Sequence, residues 1–357
     1  MWRALCAFYI YTKLFPLRNV RQRRKCMKYI RILPVIMIFL LLTAGVFAQT
    51  QESELLTTLD LTQPIRQMIW NAPDNELRIL SGNGITKVNL SDPGDTSSCK
   101  FSDESYSFIK VSDSGVLAAM TEDWQRIDLY VSDCGEKPDR TIDPGFQILS
   151  FSIAKDGTSV LVNSAQEIRS VFYKIDTGEV VYDLSGFETA APVYDSTLSG
   201  DGKYIVWHAR GTFAVQNTAD GSFGKTISLW DFASSYALSS DNKTLAVGII
   251  NDDYENGTVM FFDPEKGMET GLAILGKTAP SSLIFSADGS ALWAADLNTV
   301  YKIDPQTFEV NVQWTAADAN EADVRISQIA LSPDGSSLAV LLSSGKLYLV
   351  STSIMLS

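Results

Sequence analysis

Short apolar runs separated by tight polar turns begin near residue 53 and recur to residue 351. Each run is too short for a helix and is bounded by Asp, Asn, Ser and Gly, which predicts strands joined by hairpin turns. The turns fall at NAPDN (71 to 75), VSDSG (111 to 115), IAKDG (153 to 157), LSGDG (198 to 202), LSSDN (238 to 242), FSADG (285 to 289) and LSPDG (331 to 335). Anchored on Asp74, Ser114, Asp156, Asp201, Asp241, Asp288 and Asp334, they are 40, 42, 45, 40, 47 and 46 residues apart. A nearly constant period over seven copies is the mark of a repeat architecture.

Within a copy the order is an apolar strand, a tight turn, an alternating strand, a second turn and a third strand with a polar end, as in KTLAVGII (243 to 250) and GTVMFFDPEKG (257 to 267). Asp or Asn before Gly suits such turns because they need positive φ at their centre. A fourth strand follows in EVVYDL (179 to 184), TGLAIL (270 to 275) and EVNVQW (309 to 314). Four strands at this period make a propeller blade.

On these residues the chain resembles the WD-repeat and YVTN-like propeller superfamily over positions 54 to 351. The resemblance implies an all-β, seven-bladed β-propeller of four-stranded blades. The Gly-His and Trp-Asp signatures of true WD repeats are absent: His208 is the one histidine, and third strands end in Ile-Asp or Phe-Asp. Trp230-Asp231 is read as part of a fourth strand and not as a signature. Blade seven has three strands at the C-terminal end, and SELLTTLDL (53 to 61) is a strand without a blade. Pairing the two would close the ring and cover an exposed strand edge.

The first 48 residues have a different composition, with nine Lys or Arg and no Asp or Glu. Lys28 and Arg31 precede the apolar run ILPVIMIFLLLTAGVF (32 to 47), and Val46-Phe47-Ala48 offers small residues before a cut. Residues 27 to 48 are expected to be a signal peptide cleaved after Ala48, or else an uncleaved anchor. Met27 also reads as a natural start, with residues 1 to 26 an upstream extension. Residues 49 to 357 are then an exported propeller, expected to be monomeric, and bound to a membrane only if the leader stays. Arg23-Arg24 hints at a twin-arginine signal but lacks suitable neighbours.

The exported part has 20 basic and 42 acidic residues, a net of −22. Such a field disfavours nucleic acid and favours cations or basic protein surfaces. Export leaves Cys99 and Cys134 as a pair in an oxidising compartment. They are either two free thiols or a bridge closing a loop of about 36 residues, worth roughly 3 to 4 kcal/mol.

Candidate chemistry is sparse. ADGSFGKT (219 to 226) loosely fits a phosphate loop, but strands on both sides make it a hairpin connection, since a phosphate loop needs a following helix. With one histidine there is no His-based zinc set and no catalytic motif; His208 is expected to be an exposed turn residue. NDDYENG (251 to 257) is a poor Ca²⁺ loop, and Asp195 is the one acid in the middle of a predicted first strand. No cofactor is therefore expected, with Ca²⁺ a weak exception.

The resemblance implies that loops from strand two to strand three, and from blade to blade, share the face used for partners. That face would carry Trp124, Phe187, His208, Arg210, Asp253 and Tyr254. Exposed aromatics there suit an interface, unless Trp124 and Phe187 plug gaps between blades. The function expected is a non-enzymatic exported scaffold that binds a protein or small ligand. The alternative is a lactonase-like hydrolase with a cation in the central channel.

Overall fold

The structure is a computed structural model and describes residues 55 to 352, apart from 61–64, 82–83, 90–91, 93–94, 102–104, 132–134, 136, 168, 186–194, 200, 210, 230–232, 252–255 and 277. Twenty-eight strands form seven four-stranded antiparallel sheets, the seven blades of a β-propeller. Six blades use four consecutive strands each. The seventh takes Ile326–Leu331, Ser337–Leu342 and Lys346–Ser351 from the C-terminal end and Leu55–Asp60 from the N-terminal end. Thr58 lies opposite Tyr348 and Leu59 opposite Leu347, so the orphan strand seen in the sequence closes the ring.

Burial is graded across each blade, which explains the pattern along the chain. Second strands are packed on both faces by neighbouring blades and read as unbroken apolar runs: Leu117–Thr121, Leu292–Ala295 and Ser337–Leu342 are buried throughout. Fourth strands lie on the rim, and Met268–Ile274 is largely exposed. The core is a series of layers between blades. Met68, Leu77, Leu341 and Leu347 fill the layer joining blades seven and one, while Trp293, Trp314, Val340 and Tyr348 fill the one before it.

The Ser-x-Asp turn of blades four to seven has one physical cause in each copy. In LSPDG, the Ser332 hydroxyl donates to Asp334 at 2.6 Å, Asp334 accepts from the Ser336 N–H at 3.0 Å, and the Ser337 N–H donates back to Ser332 at 2.9 Å. Gly335 takes φ 71°, the left-handed conformation that a side chain would oppose. Ser199 and Asp201, Ser239 and Asp241, and Ser286 and Asp288 repeat the first bond at 2.7 Å each.

First strands of neighbouring blades pack directly together at six of the seven joints and so ring the axis; blade four (Asp195–Leu198) and blade five (Ala233–Leu238) approach less closely. Five first strands carry a bulge at the same place, where Arg66, Ser107, Leu149, Ser234 and Ser327 are passed over in the pairing. Just past three of these bulges a polar side chain reaches the next blade or the segment leading into it. Gln328 accepts from the Met68 N–H at 3.0 Å and donates to the Met68 carbonyl at 2.8 Å; Gln67 accepts from the Ile109 N–H at 2.7 Å; Ser235 donates to the Pro280 carbonyl at 2.6 Å.

Two sequence readings fall at the edge of the described residues. ADGSFGKT is a hairpin as expected, between Thr212–Asn217 and Phe223–Ser228, but that fourth strand ends before Trp230, which lies outside the described residues with Asp231. Asp195 is the first described residue of its strand, Asp195–Leu198, with 186–194 outside the described residues.

Candidate functional site

Turns between second and third strands do share a face with the connections between blades, because their backbones bond to one another. The Ala165 N–H donates to Gln147 and the Ser343 N–H to Arg325, both at 2.8 Å. Trp124 has the same role in blade two. Its carbonyl accepts from the Ile148 N–H of blade three at 2.7 Å, its own N–H donates to Thr121, and its φ is 60°. The indole takes no part in this joint and is 42% exposed.

Leu297, in the corresponding turn of blade six, repeats this arrangement and was not singled out by sequence reasoning. Its carbonyl accepts from the Ile326 N–H of blade seven at 2.8 Å, and its side chain is also 42% exposed. The available signal was a single leucine inside the polar turn AADLNT (294 to 299).

The acids beside these anchors are occupied by the fold. Glu122 pairs with Arg66 of blade one. Asp123 accepts from the Thr121 hydroxyl at 2.6 Å and the Gln125 N–H at 3.1 Å, and the first of these bonds does most to hold its carboxyl below the ordinary range. Asp318 accepts from the Thr315 N–H at 2.6 Å ahead of a short 3₁₀ turn, Ala316–Ala319. Phe187, Arg210, Asp253, Tyr254 and Cys134 lie outside the described residues. Cys99 is on the fourth strand of blade one, partly buried against the layer that holds Phe101 and Tyr106.

His208 is not a turn residue. The strand Tyr204–Ala209 runs past it, because Gly211 at φ 75° allows a two-residue turn and Ala209 pairs directly with Thr212. His208 therefore sits opposite Asp195 on one side and Phe213 on the other, stacked on the Phe213 ring at 4.6 Å and edge-on to Tyr236 at 5.6 Å. Burial lowers its pKa and nearby Asp195 offsets that only in part, so the imidazole is neutral at pH 7.

His208, Asp195 and Tyr236 line a cavity of about 450 Å³ on the propeller axis, walled mainly by first strands of blades two to six. Tyr236 donates to Asp195 at 3.0 Å, bridging the joint where blades four and five approach least, and the Ser196 N–H donates to the other carboxylate oxygen at 2.8 Å. Burial first, and then Asp195, raises the Tyr236 pKa well above the ordinary phenol value, so its hydroxyl stays a donor. Lys110 and Ser152 also line the cavity. Among the described residues, no three His, Cys, Asp or Glu come together as metal ligands.

No family model matches the chain, and no curated protein matches it. Among solved structures it is similar to a chain from the crystal structure of a mitotic checkpoint complex, with a TM-score of 0.67 over 84% of this chain and 92% of that one. Sequence identity is 16%, so the likeness is one of fold.

Proposed function

We propose that this chain is an exported, WD-repeat-like propeller that acts as a scaffold, capturing a protein partner on the face that carries Trp124 and Leu297. One observation carries the reading. At both positions the backbone carbonyl joins two blades while a large apolar side chain is left 42% exposed, so the side chains are free for a partner. The gap-plugging role would instead require the indole to be buried. An acidic surround suits a partner with a basic rim around an apolar centre. The similar solved chain comes from a multiprotein complex, which fits the same use of the fold. Cleavage of the leader after Ala48 and a Cys99 to Cys134 bridge belong to this reading.

The test is capture from the exported fraction with immobilised protein, followed by mass spectrometry. Trp124→Ala and Leu297→Ser should lose the specific partner while melting like the wild type. Lower melting with capture intact would overturn the reading, because the side chains would then be packing elements.

A further inference from the structure

The cavity on the propeller axis holds two charges of opposite sign that do not use each other. Asp195, on blade four, takes its hydrogen bonds from Tyr236 and the Ser196 N–H, both uncharged, and pairs with no cation among the described residues. Lys110, on blade two, lines the same cavity and likewise pairs with no acid among them. Blade three stands between the two, and its contribution to the wall is Ser152. That side chain is only 7% exposed, yet its hydroxyl has no hydrogen-bond partner. A buried hydroxyl is costly to leave unpaired, so one kept on the wall of a cavity that also carries an ammonium without an ionic partner points to an anionic acceptor.

We propose that this cavity is a binding site for a small zwitterion, a free amino acid or a dipeptide. Its carboxylate would be held by Lys110 and Ser152, and its ammonium by Asp195. The size fits, since cavities that enclose small molecules run from roughly 300 to 1,000 Å³. The charge pattern selects among ligands. A sugar would leave both charges uncompensated in a confined space, a simple amine would leave Lys110 unanswered, and a simple carboxylate would leave Asp195 unanswered. His208 adds no charge to this balance. The site is independent of Trp124 and Leu297, so its failure and that of the loop-face reading are told apart.

The experiment is thermal shift followed by calorimetry on the exported chain, with each common amino acid and L-alanyl-L-alanine at about 10 mM, a concentration at which a 0.1 mM ligand stabilises by roughly 2.7 kcal/mol. Butylamine and propionate, singly and mixed, are the half-ligand controls. At least one zwitterion should raise the melting temperature when neither half-ligand does. Lys110→Met should weaken that binding at least tenfold and Ser152→Ala several-fold, with Asp195→Asn as a further variant because it also touches Tyr236. The proposal is overturned if no zwitterion shifts melting, if butylamine or propionate alone shifts it as much, or if Lys110→Met binds the zwitterion as the wild type does.

Discussion

Replacing Gln328 with methionine tests the stitch that holds blade seven to blade one. Methionine keeps the length and much of the volume but removes both amide bonds to the Met68 backbone, at 3.0 and 2.8 Å. Met68 is 2% exposed, so water cannot readily replace the lost partners. An unsatisfied buried group costs about 1 to 3 kcal/mol, and two of them, with partial relaxation, about 2 to 4 kcal/mol. A domain of roughly 300 residues unfolds with an entropy near 0.6 kcal/mol/K, so the melting temperature should drop by about 3 to 6 °C. The assay is thermal unfolding followed by circular dichroism and calorimetry, with Gln306→Met as an exposed control that should not move. If Gln328→Met melts within about 1 °C of the wild type, the side-chain bond across the joint contributes nothing and the reasoning fails.

Four further outcomes are expected. Deleting residues 49 to 62 removes the strand Leu55–Asp60 and should lower the melting of the whole ring, as calorimetry would record; an unchanged melt would contradict its place in blade seven. Gly257→Ala should destabilise by about 2 kcal/mol or more in a denaturant melt, because a Cβ there would lie 1.8 Å from the Thr278 carbonyl oxygen. The serine and backbone bonds at Ser290 and Ser286 hold the Asp288 carboxyl at about 2. A carboxyl whose pKa is lower folded than unfolded stabilises above its unfolded value and loses that contribution as pH falls through the folded one, so melting should decline from about pH 4 towards pH 2, less steeply in Asp288→Asn. Tyr106→Phe removes a 2.7 Å bond to buried Asp128 and should cost about 1 to 2 kcal/mol, read by denaturant unfolding.

Blade number and blade order were legible because they rest on local chemistry, and closure because a last blade of three strands left one spare strand to complete it. Ser332, Asp334 and Gly335 build their turn from neighbours within five residues, and the second strand Ser337–Leu342 is apolar because both its faces are covered. What could not be read depends on partners far along the chain. Nothing near Gln328 announces Met68, 260 residues away. His208 was misplaced because WHARG looks like a turn until Gly211 is seen to complete one in two residues. Trp124 was singled out because tryptophan in a loop is conspicuous, whereas Leu297 was passed over because leucine is ordinary until its exposure is known. The presence of Lys110 and Asp195 on one cavity wall follows from the ring itself, which brings distant first strands around a common axis.

The latch made by Leu55–Asp60 against Lys346–Ser351 also governs how the molecule must assemble. During synthesis Leu55–Asp60 is made well before Lys346–Ser351 and has no strand to pair with until that segment follows. The entropy of closing so large a loop grows only slowly with its length, so the delay is one of search and not of equilibrium. Until that meeting occurs, the nascent ring is an open arc with a bare strand edge at its end and an apolar layer uncovered, the state most prone to joining a second copy by mistake. A chaperone or a rapid finish to the last blade would therefore influence yield more than any single contact within a completed one.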